Sequence, residues 1–509
     1  MPDIFSFENL FIYDLANNHM GDTAHAGRII AEVGRVSQAA GVRAALKFQF
    51  RQLDTFIHPD YHGRTDHKYV KRFSETRLDL EQFNRLADGV REAGLLTMST
   101  PFDEESVDVI CDMGLDLIKI ASCSADDRPL IDKVAKVNKP VVVSTAGLRL
   151  EEIDWLVNHL EAQRVNFALM HCVAIYPTPD SKLQLDQVRQ MRARYPGVAI
   201  GWSTHEDQNN TSAVQVAYAL GARLFERHVG LATERYKLNA YSSTPEQLER
   251  WLAAFAQARD MIGAPERAPA PAEERQTLLE LKRGTFARRP IAKGETLTAA
   301  DVFFAMPAQD GCMSSGQFRD GMVADRDYAA KEALASLDYH RASDEDTVYQ
   351  IMLQVRGMLN MAGININEDA EIEISHHFGL GRFREFGAVL ITCINRDYAK
   401  KLVIQLPRQK HPYHFHKRKE ETFQLLAGDV EIVKDGHRFP LKPGDTLRVA
   451  PGEWHKFHTL EGCVFEEISS TAYDNDSFYE NPAIAGMPRE ARKTNVDHWR
   501  DYFRGRTRG

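Results

Sequence analysis

FIYDLANNH (residues 11–19), AALKFQF (44–50), LLTMST (95–100), LIKIAS (117–122), VVVSTAG (141–147), FALMHC (167–172), VAIGWSTH (198–205) and LFERHVG (224–230) follow one another through the first half of the chain. Each is a short apolar run that ends in side chains able to do chemistry. In order these are Asp14, Asn17, Asn18 and His19; Lys47 and Gln49; Thr100; Lys119 and Ser122; Ser144 and Thr145; His171, just ahead of Tyr176; Ser203 and His205; and Glu226, Arg227 and His228. Helical stretches such as HAGRIIAEVGRVSQAAG (25–41) alternate with these runs. The alternation predicts an α/β fold, a (β/α)8 TIM barrel, with its chemistry at the C-terminal ends of the strands. One polar residue at a strand end is ordinarily the turn into a loop. Eight in succession point instead to a small anionic substrate held from all sides.

Working outward, the barrel pattern closes with the helix TPEQLERWLAAFAQARDMIG (244–263), which sets the first domain at 1–265. An Ala/Pro-rich spacer follows at 266–280. A small β-containing domain is expected at 281–341, too small to be an enzyme alone. A helical connector at 342–369 leads to a region, 370–485, of short strands and regular Gly, Asp and Pro turns, as in a small all-β barrel. An Arg-rich tail at 486–509 is expected to be solvated or docked at an interface.

A chain of 509 residues exceeds one hydrophobic core. Its net charge of −9 argues against a nucleic-acid-binding surface across the whole protein. No apolar stretch reaches the ~20 residues of a membrane span, and MPDIFSFENLF (1–11) lacks a signal-peptide pattern. Cys111, Cys123, Cys172, Cys312, Cys393 and Cys463 form no C-x-x-C pair. They read as reduced packing residues of a cytoplasmic protein.

At the barrel mouth, Lys47 and Lys119 supply point charges, and Thr100, Ser122, Ser144 and Ser203 supply short hydroxyls, a cradle for phosphate or carboxylate. His205 and His228 end neighbouring strands, which lie ~4.8 Å apart, so both imidazoles can reach one divalent metal with positions left open. The alternative is that both histidines only hydrogen-bond loops.

NNHxG (17–21), LKFQ (46–49), STPFD (99–103), KIAS (119–122), STAG (144–147), HCVAIYPTP (171–179), GWSTH (201–205) and ERH (226–228) together resemble the sialic acid synthase family. RRPIAKGETLTAADVFFAMP (288–307) resembles the antifreeze-like (SAF) domain of those enzymes. The resemblance implies condensation of phosphoenolpyruvate with an open-chain amino- or deoxy-hexose to a 3-deoxy-2-keto sugar acid and phosphate. It implies Mn2+ or Mg2+ on His205 and His228, phosphoenolpyruvate on Lys47, Thr100, Lys119, Ser122, Ser144 and Ser203, and Gln49 and Tyr176 on the sugar side. It also implies a domain-swapped homodimer. The family's opening Glu is Asp14 here, which keeps a carboxylate for proton transfer on a shorter arm. The family's Asn in the sixth motif is Ala174, a Glu after the fourth is Ser124, and the small domain's acyl-recognising Arg is Met306. These departures fall on the sugar side, so the acceptor is expected to differ from N-acetylmannosamine.

In the third domain, His414, His416, Glu421 and His455 follow the H-x-H-x4-E-x6-G and later PGEWH spacing of a cupin. Two His two apart on a strand share a face. The three-His, one-carboxylate set suits Mn, Fe, Ni or Zn. HPYHFHKRKEETFQLLAGDVEI (411–432) and FEEISSTAYDNDSFYENPAI (465–484) resemble the D-lyxose isomerase type of cupin, which implies a metal-dependent sugar isomerase. Three functions stay open: a synthase whose cupin senses or acts on a sugar, a bifunctional synthase and isomerase, and a non-catalytic barrel carrying a cupin isomerase.

Overall fold

The computed structural model describes residues 4–264, 267–335, 337, 344–368, 370–473, 475–496 and 499–503. The chain divides into two compact units, Met1–Ala268 and Pro269–Gly509.

The first unit is a closed barrel of eight parallel strands. They are β1 (Leu10–Asp14), β2 (Arg43–Phe50), β3 (Leu96–Pro101), β4 (Leu117–Ile120), β5 (Val141–Ser144), β6 (Phe167–Cys172), β7 (Ala199–Thr204) and β8 (Leu224–His228). The ring closes where β8 pairs with β1, from Leu10↔Leu224 to Asp14↔His228. Helix boundaries follow local chemistry. The helix Thr23–Ala40 stops at Gly41, whose φ of 63° suits glycine. The helix Pro245–Ile262 starts at a capping box in which Thr244 and Gln247 each accept the other's backbone N–H.

Period-two alternation divides the strand residues between two cores. Phe11, Phe48, Leu169, Trp202 and Phe225 face the helices, with Trp251 and Phe255 packed among them. Ile12, Ala45, Met98, Leu117, Val142, Ala168 and Leu224 fill the barrel interior. Two residues further along the same strands, the inward positions become Asp14, Lys47, Thr100, Lys119, Ser144, Met170 and Glu226, with Ser203 two beyond Gly201. Gly201 has a packing reason: a Cβ there would lie 2.5 Å from Leu224 Cγ and 2.5 Å from its carbonyl oxygen.

In the second unit, the expected spacer carries a helix, Ala272–Leu281. A two-stranded sheet of β9 (Gly284–Ala287) and β10 (Val302–Ala305) follows, with its own core of Ile291, Leu297, Val302, Met313, Phe318 and Tyr328. The expected boundaries at 265/266 and 341/342, and residues 504–509 of the tail, lie outside the described residues.

The remaining strands are β11 (Glu371–Ser375), β12 (Ala388–Asn395), β13 (Tyr398–Gln405), β14 (His414–His416), β15 (Glu421–Gly428), β16 (Val430–Lys434), β17 (His437–Leu441), β18 (Thr446–Val449), β19 (His455–His458), β20 (Cys463–Ser470), β21 (Ser477–Tyr479) and β22 (Lys493–Val496). They form a seven-stranded sheet, β18-β15-β20-β13-β12-β11-β22, and a five-stranded one, β17-β16-β19-β14-β21.

Two expectations need correction. The segment 342–369 is not merely a connector: its helix Asp344–Met361 buries Val348, Ile351, Met352, Val355 and Leu359 against Ile372, Ile374, Ile391 and Ile404 of the large sheet. Nor is 486–509 simply a tail. Its Lys493–Val496 pairs antiparallel with β11, and Tyr502 is buried in the same core. Backbone pairing and burial of an apolar face outweigh the polar composition of these segments.

No helix among the described residues is long and apolar enough to cross a membrane. The six cysteines are free thiols.

Candidate functional site

The barrel's polar layer is nearly dry: Asp14, Lys47, Thr100, Lys119, Ser144, Ser203 and Glu226 are all buried. Lys47 lies 2.9 Å from Asp14 Oδ2 and also pairs with Glu226, while Lys119 pairs with the second oxygen of Glu226. Burial alone would lower the Lys47 pKa, but Asp14 and Glu226 outweigh it and hold the ammonium above its ordinary value. At Lys119 burial prevails over Glu226, with Lys47 adding repulsion, and the pKa is lowered. Burial also pushes the Glu226 carboxyl up, yet Lys119 and Lys47 bring it far below the usual range. The hydroxyls of Thr100 and Ser144 are buried without a hydrogen-bond partner, an arrangement ready for an anion that accepts from them. Ser122 sits one turn higher, opening a short 3-10 segment, and its hydroxyl accepts from the Ala146 N–H at 3.1 Å.

His205 and His228 stand above this layer with ring centroids 5.3 Å apart. His205 Nδ1 lies 2.9 Å from the Val173 carbonyl, which assigns Nδ1 as the donor and leaves Nε2 as a lone pair. His228 Nδ1 lies 3.5 Å from Asp14 Oδ2. Burial lowers both pKa values, that of His205 to about 3 with His228 adding to the effect. Neutral imidazoles with one anchored nitrogen are fit to ligate a divalent metal. The Tyr176 ring packs on His205 at 4.1 Å. Gln49 lies beyond Lys47 on β2, accepts 2.7 Å from Arg51, and lines a cavity of about 340 Å³ with Asn17 and His19.

The cupin's four expected ligands also come together. His414 and His416 point the same way from β14, and His455 is the residue paired with His414 across β14 and β19. The ligand nitrogens of these three buried histidines lie within 4.8 Å of one another. Each Nδ1 is tied to a backbone carbonyl: His414 to Pro412 at 3.1 Å, His416 to Asp476 at 2.7 Å, and His455 to Glu453 at 3.2 Å. The Nε2 atoms are thereby turned inward as lone pairs. His455 Nε2 and Glu421 Oε2 lie 3.2 Å apart, both buried and both without a hydrogen-bond partner. Two lone-pair atoms facing each other in this way fit two ligands of one cation. A cavity of about 540 Å³ opens from this site.

Comparison with known proteins gives the barrel its lineage. Residues 35–267 match the NeuB family, and residues 401–465 match the cupin domain. A spore coat polysaccharide biosynthesis protein E from Chromobacterium violaceum has a solved structure 44% identical to this chain. That match spans 65% of this chain and 98% of that one, with a TM-score of 0.62. The chain belongs to the NeuB family. An uncharacterized protein of Methanocaldococcus jannaschii is 30% identical over 57% of this chain and 83% of its own length. The N,N'-diacetyllegionaminic acid synthase of Campylobacter jejuni is 26% identical over 64% of this chain and 99% of its own. Relatives of these kinds make this a sialic or nonulosonic acid synthase-like protein with a C-terminal cupin.

In this NeuB-family barrel, the sequence places Glu226 among the polar strand ends but gives it no role. In the structure Glu226 bridges both lysines. The signal was available, since Leu224, Glu226 and His228 alternate inward on one strand. In the cupin, Lys419 was missed. It is buried two residues before Glu421, lying 2.6 Å from that carboxylate and 2.9 Å from Glu467.

Proposed function

We propose that the barrel condenses phosphoenolpyruvate with the aldehyde of an open-chain N-acyl amino- or deoxy-hexose, giving a 3-deoxy-2-ulosonic acid and inorganic phosphate. The observation that carries this reading is the single buried layer holding Lys47, Lys119 and the unpartnered hydroxyls of Thr100 and Ser144. Such a layer binds a compact dianion through charge-assisted hydrogen bonds. Ser122 and Ser203 complete the cradle, and Glu226 keeps the two ammonium groups in place.

In the reaction, C3 of the enol bonds to the aldehyde carbon and water adds at C2. The C2–O bond then breaks, so the bridging oxygen leaves with phosphate. Asp14, against Lys47 and His228, is positioned to hold or move a proton next to the lysine layer. Gln49 and Tyr176 orient the sugar. His205 and His228 would hold Mn2+ or Mg2+, which supplies Lewis-acid polarisation of a carbonyl oxygen. The small β9–β10 module is assigned to the SAF type, the assembly to a domain-swapped homodimer, and the free thiols to a reducing cytoplasm.

The cupin is assigned a Mn, Fe, Ni or Zn site on His414, His416, Glu421 and His455 that serves a sugar. Among its possible roles, isomerisation is favoured by Lys419. Its ammonium touches both Glu421 and Glu467 on the wall of the same cavity and holds the Glu467 carboxylate beside the metal-ligand set, where it can serve as a base. Exchange of deuterium from solvent into the sugar's second carbon tests isomerisation; metal-loaded protein without any such exchange would leave sensing. For the barrel, phosphate release from phosphoenolpyruvate should require both an aldose and a divalent metal. Release that persists after thorough chelation would overturn the metal assignment.

A further inference from the structure

Arg51 is a half-buried cation that the reaction just described does not use. It follows β2, and its guanidinium is sandwiched between Phe73, 4.0 Å from one ring centroid, and Phe102, 3.7 Å from the other. Both π-faces are therefore covered, and only the edge carrying its N–H groups can meet a ligand. One edge donor reaches Gln49 Oε1 at 2.7 Å, while Nε is buried without a hydrogen-bond partner. Among the described residues no carboxylate forms an ion pair with Arg51. The nearby acids are committed elsewhere: Asp103 accepts from the Ser106 and Gln52 N–H groups, and Asp14 pairs with Lys47. Burial is the main influence on the guanidinium, lowering its pKa to about 10, and it stays charged at neutral pH.

Arg51 lines the 340 Å³ cavity shared by Gln49, Asn17 and His19. The other charged residues on that wall are spent. Arg77 faces Asp54 at 3.2 Å, and Asp79 caps the helix Leu80–Glu92. His19 is held neutral, its pKa lowered to about 4 by burial and by His25. The cavity thus presents a planar donor fork with one uncompensated positive charge. Leaving the buried Nε donor without a partner is costly, and a guanidinium edge matches the two oxygens of a carboxylate or phosphate.

We propose that Arg51 recognises an anionic group, a phosphate or a carboxylate, on the acceptor sugar at the end remote from its aldehyde. This deepens the condensation reading and rests on it, because it takes the Gln49 cavity as the acceptor's place. The acceptor class is then an acidic hexose rather than a neutral one.

The test is titration calorimetry on the full chain with saturating phosphoenolpyruvate, so that the lysine layer is filled and cannot capture the sugar's own anion. Three probes are compared: N-acetylmannosamine, its 6-phosphate, and the corresponding 6-carboxylate. One or both anionic sugars should bind at least ~10-fold tighter than the neutral one, the scale of one charge-assisted hydrogen bond. The stronger of the two names the anion. Arg51→Met should erase that preference while phosphoenolpyruvate affinity is unchanged, and Arg51→Lys, which keeps charge without the fork, should retain part of it. Equal binding of all three sugars, or a preference that survives Arg51→Met, overturns the proposal. Phosphate release is not the readout, so failure of the condensation reading would be a separate result.

Discussion

Replacing Glu226 by Gln tests the account of the barrel layer from two sides. Asp14 and Glu226 balance Lys47 and Lys119, so the wild-type cluster is formally neutral and the variant carries one positive charge. Lys119 has Glu226 as its carboxylate partner, and both are almost completely buried. Removing one member of a buried pair costs ~3–5 kcal/mol. The barrel should therefore unfold at markedly lower urea concentration or temperature, with the cupin transition as an internal reference, since a chain of two units need not unfold in one step. The same change should favour an incoming anion. A pair of unit charges ~6 Å apart in an effective dielectric of ~20 interacts by ~3 kcal/mol, so the gain in phosphoenolpyruvate binding is up to ~3 kcal/mol for each negative charge the ligand brings to the layer. The assay is differential scanning fluorimetry in EDTA, with and without phosphoenolpyruvate. The variant's low midpoint should recover with ligand more steeply than the wild type's. An unchanged midpoint together with unchanged or weaker phosphoenolpyruvate binding would refute the charge-balance argument.

Other outcomes follow from particular contacts. Replacing His414 and His416 together by Ala should remove about one metal ion per chain by elemental analysis while barrel phosphate release stays largely intact, because separated sites act nearly independently; loss of both together would refute separate sites. Gly201→Ala places a methyl against the Leu224 carbonyl and should destabilise the barrel by ~1–3 kcal/mol in urea titrations; a neutral effect would contradict the packing described. Lys119→Ala should weaken phosphoenolpyruvate binding more than acceptor binding in calorimetry, and equal losses on both would argue against its place in the anion cradle.

How far the sequence could be read depended on whether the signal was local. The barrel strands announce themselves by apolar runs ending in polar residues, and the alternation that buries Ala45 and Leu117 also brings Lys47 and Lys119 inward. Glu226 is visible at the end of its run, but its role is not, because its lysine partners lie more than a hundred residues away in sequence. The clustering of His414, His416, Glu421 and His455 was legible because His414 and His416 share a strand face and the Glu421 spacing is fixed. The helix Asp344–Met361 was visible, but its docking was not, since its partners Ile372 and Ile404 carry no mark of which helix will cover them. Lys493–Val496 hid in Arg-rich text because β pairing with Ile372–Ser375, over a hundred residues earlier, leaves no local trace. Nothing in the sequence around Arg51 marks that Phe73 and Phe102 will cover its two faces.

The central claim, that the barrel joins phosphoenolpyruvate to an aldose with cleavage of the carbon–oxygen bond, is tested most directly by isotope fate. Phosphoenolpyruvate labelled with 18O at the bridging position is turned over by the full chain with Mn2+ and an acceptor sugar, and the phosphate is analysed by mass spectrometry. The account predicts that the bridging 18O appears in inorganic phosphate, in step with a 3-deoxy-2-ulosonic acid whose new oxygen comes from water, and that omitting the sugar abolishes release. Phosphate free of the label, with 18O kept in the organic product, or release at the same rate without any sugar, would contradict it.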